Sequence, residues 1–130
     1  MFGMKRKSED RTEIYKTEIK SIGKLAKEFL QERMLILFGN EAPEGLKDYC
    51  FGIDVESVHD KIQTGQYLSI DDSKFKITAV GRLVQKNLAD LGHITMRFDG
   101  STKADLAGTL YLESKPIPDI GIGTQIAIVG

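Results

Sequence analysis

The spacing of apolar residues along the chain predicts many short strands and few helices. Apolar and polar residues partly alternate over residues 13–19, and residues 34–38 form a short apolar run, so both segments are predicted to be strands. Two further runs, 66–70 and 74–80, are joined by a short polar turn at Asp71-Asp72-Ser73 and predict a hairpin. Extended segments are also expected at 50–58, 108–113 and 125–129.

The clearest strand is predicted at residues 93–99. Successive side chains of a strand point to opposite faces. One face therefore carries Ile94, Met96 and Phe98, and the other carries His93, Thr95, Arg97 and Asp99.

Two segments have the apolar spacing of amphipathic helices, 24–32 and 83–91, and Gly92 is a suitable C-terminal cap for the second. Pro43 can start a further short helical turn. The helices do not alternate regularly with the strands, which disfavours a doubly wound parallel sheet. The expected fold is mainly β, a pseudo-barrel of about seven or eight short strands with two short helices. Residues 12–130 are expected to form one domain, preceded by a poorly ordered polar tail at 1–11.

Charge and cysteine content narrow the classes of partner and location. The net charge of −1 over 130 residues gives no general attraction to nucleic acid. No apolar run is long enough to span a bilayer, and no apolar stretch follows the basic residues near the N-terminus, so direct membrane insertion is not expected. Cys50 is the only cysteine, which excludes an intrachain disulfide and is consistent with a reducing cytoplasm.

Few residues suggest chemistry from their spacing alone. An imidazole can accept a phosphoryl group, so His93 is a candidate nucleophile, although a structural histidine is the simpler interpretation. Arg97 lies four residues further along the same strand, roughly 13 Å away at ~3.3 Å per residue, too far to share one phosphate with His93. His59 is interpreted as a surface residue and Cys50 as a small buried hydrophobic residue. No metal-ligand spacing and no nucleotide-binding loop is present, so neither a metal nor a cofactor is expected.

Two segments carry a family resemblance. Leu-Lys-Asp-Tyr-Cys-Phe at residues 46–51 and Gly-His-Ile-Thr-Met-Arg-Phe-Asp-Gly at residues 92–100 resemble signatures of the glucitol/sorbitol-specific IIA component of the bacterial sugar phosphotransferase system. The resemblance extends over nearly the whole chain from about Thr12, and it implies a cytoplasmic β pseudo-barrel. It also implies a phosphocarrier that takes a phosphoryl group from HPr onto a histidine and passes it to the IIB component of a membrane permease, without a stored cofactor.

The chain departs from this family at the acceptor. In the family the phosphate-accepting histidine follows the Cys-Phe pair by two positions, and here that position is Ile53. Two hypotheses follow. Either another histidine, for which His93 is the best candidate, carries the phosphoryl group, or the chain is a divergent, non-phosphorylatable paralogue that acts as a regulatory or binding module. Enzymatic activity therefore stays open.

Two further alternatives also stay open. One is a small-molecule-binding barrel unrelated to sugar uptake. The other is a homodimer, because exposed strand edges of an incomplete barrel could pair between two chains.

Overall fold

The computed structural model describes residues 12–130, and the tail predicted at 1–11 lies outside this range. The described chain contains nine strands and three helices. In chain order they are β1 (Glu13–Glu18), β2 (Ser21–Ile22), α1 (Ala26–Gln31), β3 (Met34–Gly39), α2 (Glu44–Lys47), β4 (Phe51–Ile53), β5 (Tyr67–Ile70), β6 (Ser73–Val80), α3 (Val84–Leu91), β7 (Ile94–Arg97), β8 (Thr109–Leu112) and β9 (Gln125–Val129).

The strands form one continuous sheet in the order β1-β9-β5-β6-β8-β7-β3-β4-β2. The β3–β4 and β7–β8 pairs are parallel, and the remaining pairs are antiparallel. Because β1 and β2 are consecutive in the chain but lie at opposite ends of this order, the sheet curls until its two ends meet. Lys20 N, in the link between β1 and β2, donates to Gly52 O of β4, and His59 N, on the segment that follows β4, donates to Ile14 O of β1; each bond is 2.8 Å long. The mainly β pseudo-barrel predicted from the sequence is therefore confirmed.

The interior of the barrel holds a single apolar core. Ile94, Met96 and Phe98 are buried, as the alternation along this strand predicts, while His93, Thr95 and Arg97 on the opposite face are half-buried. The rings of Phe75 and Phe98 meet edge to face with centroids 4.9 Å apart. Burial of these side chains provides the main stabilisation of a sheet that has only short helices to cover it. The other large, fully buried side chains include Tyr15, Leu35, Leu37, Phe51, Ile53, Leu68, Ile70 and Ile77.

Two elements differ from the prediction, and a third agrees with it. The two-residue strand β2 was not predicted, and the turn predicted after Pro43 is a single-turn helix, α2. The extended segment predicted at 50–58 is a strand only at Phe51–Ile53. The parallel β3–β4 ladder ends at Ile53, because the chain then separates from β3. It rejoins the sheet through the hydrogen bond from His59 N to Ile14 O.

Close backbone contacts at glycines fix the packing of α3 against the barrel. A Cβ on Gly81, just before this helix, would lie 2.3 Å from the carbonyl oxygen of Ala107 and 2.5 Å from that of Leu106. Neither backbone oxygen can move without disturbing the loop that leads into β8.

We therefore expect Gly81→Ala to destabilise the fold by about 1–3 kcal/mol, the range for overpacking a filled site. Chemical denaturation followed by circular dichroism would measure this change. Gly121→Ala is the matched control, since a Cβ there meets nothing within 4 Å, and it should change stability by less than about 0.5 kcal/mol. Equal effects of the two variants would contradict the packing described for Gly81.

Candidate functional site at one end of the barrel

Four chain segments converge at one end of the barrel. β3 and β4 run parallel and finish together, so that Gly39 pairs with Ile53. α3 ends beside them at Leu91, and Gly92 terminates this helix in the left-handed conformation, with φ +68°. The chain then turns into β7. This places His93 and Ile53, the two positions singled out in the sequence, at the same end of the fold.

Ile53 is a core residue. Its side chain is only 1% exposed and belongs to the apolar cluster inside the barrel. Its Cδ1 atom lies 3.4 Å from the position that a Cβ on Gly92 would occupy, and Gly39 N lies 3.1 Å from the same position. The backbone of Gly92 thus covers Ile53, and a Cβ at this position would be tight against Ile53 and Gly39 and would require a left-handed backbone.

His93 follows Gly92 and points to the outer face of the sheet. Its ring stacks on Phe38, with centroids 4.3 Å apart and planes inclined by 14°. Phe38 is its neighbour across the antiparallel β3–β7 pair, whose register brings Leu37 opposite Ile94. The His93 main-chain N–H donates to Asn87 O at 3.2 Å. Within residues 12–130 the imidazole nitrogens have no hydrogen-bond partner.

Burial against Phe38 also sets the protonation of His93. The loss of solvent around the ring lowers the pKa of His93 below its ordinary value of 6.5, because burial disfavours the charged form. The imidazole is therefore neutral at physiological pH and keeps a free lone pair. This is the form in which a histidine can act as a nucleophile.

Arg97, the cation considered for holding a phosphate at His93, contacts a different side chain. Arg97 lies opposite Met34 in the β3–β7 register, and its Nη2 atom contacts Met34 Sδ at 3.7 Å. The contact of Arg97 with Met34 agrees with the sequence-based expectation that Arg97 and His93 do not bind the same phosphate.

A cavity of about 410 Å³ adjoins this end of the barrel, and Phe38 forms part of its wall. Lys24 and Lys47 also line it, but each lies 3.9 Å from a carboxylate oxygen, of Asp48 and Glu44 respectively. Cys50 borders the same cavity and is buried, which raises the pKa of its thiol and makes a reactive thiolate unfavourable.

The remaining candidates take no part in this site. His59 is exposed and lies on the segment that follows β4. Among the described residues, no group of three or more His, Cys, Asp or Glu side chains is placed to hold a metal ion. No helix in residues 12–130 is both long and apolar enough to cross a bilayer. Sequence reasoning missed Phe38 and Gly39, because their roles arise only when β3 pairs with β7 and β4.

The lowered pKa of His93 predicts a pH dependence of folding. The unfolded chain binds the proton more readily than the folded chain, so the stability contributed by the neutral ring is complete above about pH 6.5 and is lost as the pH falls below it. We expect the free energy of unfolding to fall as the pH is lowered from about 6.5 through the pKa of His93 in the folded state. Urea denaturation at several pH values would show a smaller fall for His93→Gln than for wild type. A fall of the same size in His93→Gln would contradict this assignment.

Comparison with known proteins identifies the family of this chain. The family model described as the PTS system glucitol/sorbitol-specific IIA component matches residues 14–127. The glucitol/sorbitol-specific EIIA components of Shigella flexneri and of Escherichia coli strain K12 are each 38% identical over 108 residues, covering 83% of this chain and 87% of the relative. A crystal structure of a PTS system IIA component from Enterococcus faecalis V583 superposes with a TM-score of 0.77 at 31% identity, covering 89% of this chain and all of that one. This chain therefore belongs to the glucitol/sorbitol-specific IIA component family of the sugar phosphotransferase system.

Proposed function

We propose that this chain is a IIA-type module that docks onto partners of the phosphotransferase system without carrying a phosphoryl group itself. Ile53 is the observation that carries the proposal. An alkyl side chain has no lone pair with which to attack phosphorus, and one that is 1% exposed offers no access to a partner. In this role the protein would act in the cytoplasm as a regulatory or binding module.

The surface above Ile53 supports docking. Val55 and Leu91 are 42% and 45% exposed, and both border Gly39. A Cβ on Gly39 would lie 2.7 Å from Val55 Cγ2 and 2.6 Å from Leu91 O. We call Val55, Gly39 and Leu91 the docking rim. Exposed apolar side chains that cluster in this way are typical of protein interaction sites. The partner to which the family role points is HPr, followed by the IIB component of a permease.

The charges beside the docking rim oppose phosphate. Asp54 and Glu56 are exposed on either side of Val55 in the sequence. Two carboxylates at this position would repel an incoming phosphoryl group while leaving apolar contact with a partner intact. Docking and phosphoryl acceptance are therefore separable at this surface.

A second candidate function is phosphoryl transfer through His93. The observation in its favour is a neutral, half-buried imidazole whose ring nitrogens have no hydrogen-bond partner in the part of the chain that the structure describes. In such a step, a ring nitrogen of His93 would attack the phosphorus of phospho-HPr. A new N–P bond would form as the N–P bond to the HPr histidine breaks. Arg97 is held at Met34, so the phosphate oxygens would lack a clear donor from that side chain, and we rank this function second.

Phosphotransfer in a reconstituted system distinguishes the two functions. The protein would be mixed with phosphoenolpyruvate, Enzyme I and HPr, and its intact mass would be read under alkaline conditions that preserve phosphohistidine. We expect no gain of a phosphoryl group, because Ile53 has no nucleophile. The glucitol/sorbitol-specific component of Escherichia coli, under the same conditions, is the positive control.

Two histidine variants decide the interpretation of a positive result. A phosphoryl group that disappears in His93→Ala but persists in His59→Ala would establish His93 as the acceptor and overturn the primary proposal. His59→Ala is the matched control because it removes the other histidine of the chain, which is exposed and lies on a different segment.

A further inference from the structure

A groove lies at the end of the barrel opposite to the docking rim. Arg33, the residue before β3, lines this groove, and β3 then runs to Gly39 at the docking rim. The groove encloses about 470 Å³ between α1 and the irregular segment 115–119 that follows β8. Its floor is apolar, since Leu30 of α1 and Ile117 are both partly buried and pack against the barrel core. We call this space the basal groove.

Two cations that line the basal groove have no carboxylate partner. Lys27 and Arg33 are both exposed, and neither forms an ion pair within residues 12–130. Lys86, by comparison, pairs with Asp90 at 2.7 Å on the exposed side of α3. Among the groove residues that the structure describes, Asp119 is the only carboxylate. The unpaired cations therefore favour an anionic ligand.

The guanidinium of Arg33 is anchored to the opposite side of the groove. Arg33 follows the cap residue of α1 and has a left-handed backbone, with φ +62°, at a position where helices usually have glycine. Its Nη1 atom donates to Ser114 Oγ at 2.8 Å, directly before the segment that forms the other wall. A guanidinium carries five N–H donors, so those not used by Ser114 stay available to a carboxylate. Because this contact already orders the side chain, less entropy is lost when an anion binds.

Lys115, the third cation of the lining, is already engaged elsewhere. Its Nζ atom donates to Lys74 O at 2.6 Å and lies 3.8 Å from Glu113 Oε1. Recognition of an anion in the basal groove therefore depends on Lys27 and Arg33.

The segment 115–119 adds a row of main-chain donors. Pro116 and Pro118 disfavour a helical backbone at the residue before each of them, and residues 113–120 form neither helix nor turn. In an extended chain the N–H groups of residues 115, 117 and 119 point to one side. None of the three has a hydrogen-bond partner within residues 12–130. An open main-chain edge of this kind can pair with an extended peptide.

We propose that the basal groove binds an extended segment of a partner protein in which acidic residues alternate with large apolar ones. Its carboxylates pair with Lys27 and Arg33, an apolar side chain packs on Leu30 and Ile117, and its main chain pairs along 115–119. A nucleic acid would match the cations but has no apolar side chain for the floor. A partner bound here leaves the docking rim free, so the inference goes beyond the proposed function and does not depend on it.

The test is a titration of the isotope-labelled full chain with a capped synthetic peptide in which Glu alternates with Val and Leu, followed by amide chemical shifts. We expect saturable shifts at Leu30, Arg33 and Ile117. A peptide with Gln in place of Glu, and one with Ser in place of Val and Leu, should each bind more weakly. Arg33→Gln or Lys27→Gln should weaken binding of the acidic peptide roughly twofold to fivefold, the value of one exposed ion pair.

Lys86→Gln is the matched control, because it removes the same charge from α3, which ends beside the docking rim, and should leave the affinity unchanged. An equal loss of affinity in Lys86→Gln and Arg33→Gln would reveal a general charge effect and overturn the proposal. So would the absence of saturable shifts, equal binding of the Gln peptide, or tighter binding of inorganic tripolyphosphate at the same residues. The peptide series on the wild-type protein keeps the test decisive if a variant fails to fold.

Discussion

Close packing of the backbone around Gly39 and Gly92 governs the functional end of this barrel. Gly92 ends α3 in a left-handed turn that brings its backbone onto both Gly39 and the side chain of Ile53. This approach seals Ile53 inside the core and delivers His93 to the outer face, where it meets Phe38. The same contact therefore decides which of the two candidate positions is buried and which one reaches the surface.

Burial has opposite chemical consequences at these two positions. For Ile53 it means an apolar contact that stabilises the fold, at a position without a nucleophilic atom. For His93 partial burial favours the neutral ring, which preserves a nucleophilic nitrogen, while one face of the ring packs on Phe38. The chain thus retains the family's architecture, and two exposed apolar side chains, Val55 and Leu91, lie at this end of the barrel.

Local patterns in the sequence were sufficient for much of the fold. The alternation from His93 to Asp99 correctly assigned the two faces of β7, and the helical spacing before Gly92 correctly placed α3 and its cap, because both signals arise within a few residues. The Phe38–His93 stack and the burial of Ile53 depend on how distant strands pair, so no local pattern could reveal them.

The most direct test of the proposed docking role is a titration of the isotope-labelled protein with unphosphorylated HPr, followed by amide chemical shifts. The account predicts saturable shifts at Gly39, Val55 and Leu91, spreading to His93, with no covalent change to the protein. Absence of binding, or shifts confined to the opposite end of the barrel, would contradict it.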